Sequence, residues 1–128
     1  MIKLKAWEKN MKEIIPVHNI DFEKKMINTN GAWRMFHEIE LIQFSGLKDR
    51  NGREVFEGDV YEYTTSYEAS DPFGEITTLE IKGLDTVTFE NGAFYHGPHL
   101  LSDVIEHDDS LTYIGNIYEI NKLAGENQ

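Results

Sequence analysis

Leu41-Ile42-Gln43-Phe44-Ser45-Gly46-Leu47-Lys48-Asp49-Arg50-Asn51-Gly52-Arg53-Glu54-Val55-Phe56-Glu57-Gly58-Asp59-Val60 is the stretch whose reading decides the fold. Two apolar runs, Leu41–Phe44 and Val55–Phe56, flank a charged turn, and Asn51-Gly52 is the pair best suited to the positive φ angles of a tight reversal. The pattern predicts a hairpin. Gly58-Asp59 then interrupts the second run before Val60-Tyr61-Glu62-Tyr63 resumes it, which predicts a bend where glycine lets a curved sheet turn a corner. Gly46, Asn51, Gly52, Gly58 and Asp59 each have a backbone role here. Leu41, Phe44, Leu47, Val55, Phe56 and Val60 have core positions to fill.

Toward the N-terminus, Ile2, Leu4 and Ala6 alternate with Lys3, Lys5 and Trp7, the period of a half-buried strand. Ile14 to Phe22 reads as extended, at a sheet edge or broken at Pro16, because proline cannot donate to a ladder. Glu23–Asn28 admits a helical turn, but the Asn28-Thr29-Asn30-Gly31 cluster favours a second hairpin. Trp33–Glu40 fits either a short helix or the start of one long strand. Toward the C-terminus, Thr64 to Gly74 lacks periodicity and is rich in turn residues, so it reads as a long loop whose Tyr67 and Phe73 are either contact residues or, the favoured reading, cover for one end of the barrel. Ile76–Ile81 is a strand. Thr86–Glu90 and Ala93–His96 form a hairpin around Asn91-Gly92, with Val87 and Phe89 inward. Leu100–Ile105 is a strand or one helical turn, Leu111–Tyr118 is the last strand, and Leu123–Gln128 is frayed. Strands and turns at this spacing predict a mainly antiparallel barrel or sandwich.

The composition limits what such a fold does. At 128 residues, 40% hydrophobic and 12% aromatic, the chain has the size and apolar content of one folded domain. No run approaches the ~20 apolar residues of a membrane span, and the opening residues do not resemble a signal peptide, so a cytoplasmic protein is expected. Zero cysteines exclude disulfides and thiol chemistry. The net charge of −11 is unevenly spread. Residues 1–50 hold nine Lys and Arg against seven Asp and Glu, and residues 51–128 hold three against sixteen. A surface this acidic repels phosphate, which disfavours nucleic acid as a partner.

Three chemistries are weighed against this background. His96 and His99, followed by Asp103, Glu106, His107, Asp108 and Asp109, are weak candidates for a metal site, since Gly97-Pro98 breaks the element that would aim the rings together. Asp21, Glu57 and Asp59 offer carboxylate pairs, which acids this abundant form by chance. Glu57-Gly58-Asp59 is better explained by an Asp accepting backbone N–H bonds in a bend. No phosphate loop, nucleophile elbow or zincin helix is present, so no catalytic residue, no cofactor and no enzyme is expected. The alternative is single-stranded nucleic-acid binding through Lys3, Lys5, Trp7, Lys9, Lys12, Lys24, Lys25, Trp33 and Arg34, the aromatic and basic residues of the less acidic half.

The stretch also carries a resemblance. Leu41, Gln43, Gly46, Leu47, Lys48, Asp49, Asn51, Gly52, Glu57, Gly58, Asp59 and Val60, with Leu4-Lys5-Ala6-Trp7-Glu8 before them and Ile114-Gly115-Asn116-Ile117-Tyr118-Glu119 after, resemble the signature of the YopX family of bacteriophage and prophage proteins. Family members usually carry Phe-Arg or Leu-Arg before Ala-Trp and Asp after it; Leu4-Lys5 and Glu8 are chemically mild departures. The resemblance implies a β-rich fold with an SH3-type small barrel, phage origin and no established biochemical activity. On this reading residues 1–39 form an additional N-terminal β section packed on a barrel of residues 40–121, with 122–128 as a tail. Trp7, Gly46, Leu47, Asp49, Asn51, Gly52, Glu57, Gly58, Asp59, Gly115, Asn116, Ile117 and Tyr118 are then structural. The expected role is a non-catalytic interaction or assembly module, a homo-oligomer or one that meets a host or phage protein.

Overall fold

A computed structural model describes residues 3–126. Ile2, placed by its alternation in the first strand, and the last two residues of the expected tail lie outside the described residues. Strand β1 (Leu4–Glu8) pairs antiparallel with β2 (Glu13–Pro16), and the chain leaves that sheet at Pro16, where the ladder loses a donor. A three-stranded meander follows, β3 (Asn19–Asp21), β4 (Met26–Thr29) and β5 (Ala32–Met35), turning at Asn30-Gly31 with both residues at positive φ. One turn of 3-10 helix, Phe36–Glu38, then leads into β6 (Ile39–Lys48). The two readings of residues 33–40 therefore each hold for part of the segment.

β6 returns to pair with β1 and also with β7 (Glu54–Phe56), giving a sheet in the order β2-β1-β6-β7. The expected hairpin is present, but its turn works differently from the Asn-Gly reading. Only Gly52 has positive φ; Asp49 organises the loop by accepting the N–H groups of Asn51 and Arg53 on Oδ1 at 2.9 and 3.0 Å. An Asx side chain has replaced the second left-handed residue.

At Gly58 the chain turns the expected corner and enters the second sheet. Its strands are β8 (Asp59–Ser70), β9 (Ile76–Glu90), β10 (Ala93–His96), β11 (His99–Leu100) and β12 (Thr112–Asn116), ordered β11-β10-β9-β8-β12. Helices α1 (Leu101–His107) and α2 (Ile117–Glu126) flank β12 in the chain. The fold is mainly β, with curled sheets forming a half-barrel.

Three buried clusters hold these layers together. Val55, Tyr61, Val87 and Leu101 lie between the second sheet and α1; Ala6, Ile27 and Ile39 join the first sheet to the meander; Trp7, Ile42 and Phe56 lie between the first sheet and Tyr118 of α2. Burying each such side chain contributes about 1.5–3 kcal/mol, so the N-terminal strands are integral to the core.

Several sequence expectations are corrected. Residues 64–70 are not loop: they continue β8 and pair in unbroken register with β9, from Tyr63 opposite Gly83 to Ser70 opposite Ile76. The ribbon is solvated, so its alternation is carried by Thr, Ser and Tyr with little apolar contrast, and Thr and Tyr content was the signal that pointed to a strand. Tyr67 and Phe73 do not cover the barrel end; they sit 46% and 92% exposed out on this arm. Phe89, expected inward with the buried Val87, is also exposed. Leu111–Tyr118 is strand only to Asn116, and most of the expected tail is helix α2.

The local cause of that helix is a side-chain N-cap, braced by a side-chain bond to the third helical residue. Asn116 Oδ1 accepts the Glu119 N–H at 2.9 Å while its Nδ2 donates to Glu119 Oε1 at 2.9 Å. Replacing Asn116 with Ala should cost about 1 kcal/mol, measurable as a lower denaturant midpoint with an unchanged m-value. The corner is stricter. Gly58 has φ +90°, and an added Cβ would lie 3.0 Å from Tyr118 Cε2. Gly58→Ala should therefore destabilise by at least about 1–2 kcal/mol in the same experiment.

Candidate binding cleft and exposed arm

Most of the signature residues serve the backbone and the core. Asp59 is buried, and its Oδ2 accepts the Phe56 N–H at 2.8 Å, as the bend reading requires. Burial raises its pKa above the usual carboxylate range, with the Phe56 bond acting against the shift. Tyr61 donates its hydroxyl to Asp49 Oδ2 at 2.8 Å, and burial, followed by that bond, raises the phenol far above its ordinary value. Lys5 lies over the Phe56 ring at 3.8 Å, its pKa lowered by burial, and Arg53 lies over Tyr113 at 3.5 Å. Arg50 of the hairpin tip donates Nε to the carbonyl of Ile105 at 3.1 Å, so the tip is tied to the C-terminal end of α1. Trp7 is buried and stacks on Tyr118 with centroids 5.7 Å apart.

The aromatic and basic residues of the first half do not assemble into a stacking platform. Trp7 is buried against Tyr118 and only borders a surface pocket shared with Lys9 and Lys12, Lys3 pairs with Glu54, and Trp33 is exposed on the separate meander. Lys24 and Lys25 lie in the turn between β3 and β4.

Two features remain as candidate functional surfaces. The first is the outer half of the β8–β9 ribbon. The residues Tyr63, Thr65, Tyr67 and Ala69 of β8 face the same side as Gly83, Ile81, Leu79 and Thr77 of β9, the side that carries Tyr61 and Val87 into the core. The arm therefore extends the interior face of the sheet beyond the interior. Leu79 and Ile81 are 40% and 53% exposed on it. The opposite side carries Glu68, Glu80 and Lys82.

The second is a cleft of ≈ 580 Å³ at the root of the arm, between β8, β9, β10 and α1. Its lining brings together all three candidate histidines, His96, His99 and His107, with Tyr63 and the carboxylates of Asp85, Asp103 and Asp108. Among the described residues no group of three or more His, Asp and Glu is placed to hold an ion. His96 is buried, with Nε2 3.3 Å from the Tyr61 carbonyl, whereas His99 and His107 are exposed. The sequence flagged the histidines through their spacing but not Tyr63 or Asp85, which only the long ribbon register brings to the cleft.

Comparison with known proteins bears on the whole chain. The family model described as YopX protein matches residues 3–123. No match is found among curated proteins. The crystal structure of protein EF1440 from Enterococcus faecalis is similar over 96% of this chain and 97% of that one, with a TM-score of 0.66 at 22% identity, a likeness of fold. The melting temperature of the protein should be the same in zinc as in EDTA, and a rise with zinc would establish a metal site at the histidines.

Proposed function

The chain belongs to the YopX family, and from that premise we propose that it is a non-catalytic interaction or assembly module of phage or prophage origin, acting in the bacterial cytoplasm. The observation that carries this reading is the exposed arm. A two-stranded ribbon is marginally stable alone in water, and this one leaves Tyr67, Leu79 and Ile81 half uncovered on a face built like core. Such a face gains from being covered.

A second copy of the chain is the partner this surface suits best. The chain carries a net charge of −11, so two copies repel one another over most approaches. Thr65, Tyr67, Ala69, Thr77, Leu79 and Ile81 hold no charge, so the stripe is where that repulsion is least. A host or phage protein on the same stripe is the alternative occupant.

Covering the exposed parts of six large side chains, three from each copy, gains on the order of 5–10 kcal/mol. Association itself costs about 4–15 kcal/mol, so the contact is weak and concentration-dependent unless strand edges pair as well. Light scattering over a concentration series should show mass rising above one chain. The double variant Leu79→Ser, Ile81→Ser should remain monomeric with an unchanged melting temperature. A single-chain mass at every concentration would refute self-association.

A further inference from the structure

The cleft at the root of the arm goes beyond that reading, because its walls have a chemistry that self-association does not use. From its geometry we infer that it binds an organic cation, the guanidinium of an arginine side chain, flat against Tyr63 and bonded to Asp85. Four observations support this.

The cleft has the volume of a small-ligand pocket, ≈ 580 Å³. Its charged lining is all of one sign: Asp85, Asp103 and Asp108 line it, and no Lys or Arg does. None of these three carboxylates joins an ion pair among the described residues.

The two residues assigned to the cation are seated by glycines. An added Cβ at Gly83 would lie 2.5 Å from the Tyr63 ring, so the ring lies across bare backbone. An added Cβ at Gly97, where φ is +58°, would lie 2.5 Å from Asp85 Oδ2. Both side chains occupy space that any other residue would fill.

The floor is His96, only 3% exposed. Its ring stands edge-on to Tyr63 at 6.2 Å, and Nε2 lies against the Tyr61 carbonyl. Among the described residues the other ring nitrogen has no hydrogen-bond partner and no fully buried side-chain nitrogen or oxygen is left unsatisfied, so that nitrogen is within reach of solvent, and His96 lines the cleft. With Nε2 donating to the carbonyl, it offers a guanidinium N–H an acceptor.

Guanidinium fits these walls better than ammonium does. It is planar, stacks on an aromatic face, is weakly hydrated and bonds a carboxylate through two parallel N–H groups.

The test is a titration of the full-length, 15N-labelled chain, followed by amide chemical shifts, with N-acetyl-L-arginine methylamide as probe. The citrulline analogue, isosteric and uncharged, is the control. Binding should move the amides of Tyr63, Gly83, Asp85, His96 and Gly97, and citrulline should not. Asp85→Asn should weaken binding about tenfold, the loss of one charge-assisted bond, and Asp103→Asn on the exposed side of α1 should weaken it about threefold, the loss of one negative charge from the lining. The unbound spectrum of each variant reports whether it is folded.

An arginine-centred pentapeptide distinguishes the source of the cation. Tighter binding than the capped amino acid assigns it to a protein chain, and equal binding assigns it to a free small molecule; both sustain the site. No shifts at millimolar probe, equal shifts with citrulline, or undiminished binding by the folded Asp103→Asn and Asp85→Asn variants would overturn the inference.

Discussion

The corner at Gly58-Asp59 is the constraint on which the rest of the structure depends. Gly58 donates its N–H to Val87 of β9 at 2.8 Å and accepts the Ile117 N–H with its carbonyl at 2.7 Å. One residue thus ties together the end of the first sheet, the second sheet and the start of α2. The positive φ at Gly58 turns the chain, and the Tyr118 ring packs where a side chain would stand. Asp59 closes the inside of the bend through the Phe56 N–H, and Glu57 N–H reaches the Gln43 carbonyl at 2.9 Å. Burying a carboxylate there is unfavourable. The fold offsets it with that backbone bond and with Lys5 and Arg53 nearby.

What the corner creates is a sheet longer than its core. β12 covers β8 only from Asp59 to Glu62, and β10 covers β9 only from Val87 to Glu90. Just beyond, Ser110 Oγ still accepts the Thr64 N–H at 2.9 Å, and farther out β8 and β9 pair only with each other among the described residues. The face bearing Tyr61 and Val87 is packed under α1, and the same face farther out meets water. The cleft lies at the transition, where β11 and α1 end the coverage and the ribbon begins. It is acidic because Asp85 of β9, Asp103 of α1 and Asp108 just after α1 converge there from different parts of the chain.

Much of this was legible in residue order. Alternation at Leu4–Trp7, the glycine corner and the pairs Asn30-Gly31 and Asn91-Gly92 are local signals, since φ preference and side-chain period act within a few residues. The ribbon from Thr64 to Ser70 was not legible, because Thr65, Tyr67 and Ala69 alternate with Thr64, Ser66 and Glu68 too weakly in polarity to mark a half-buried strand. The helix after Asn116 was readable in Asn-x-x-Glu but was obscured by the apolar run preceding it, and the buried state of Trp7 against the exposed state of Trp33 depended on which sheet each entered.

The sequence by itself determined where the chain bends at its glycines and most of the segments that are extended, and with them the family and the mainly β class. Only the tertiary structure decided that Tyr63, Asp85, His96 and Asp103 share one cleft and that Leu79 and Ile81 are left uncovered. The reason is physical. Turns and strand periods arise from neighbouring residues, whereas a pocket or an exposed face depends on how far one element extends past the next, a quantity set by packing across the whole chain.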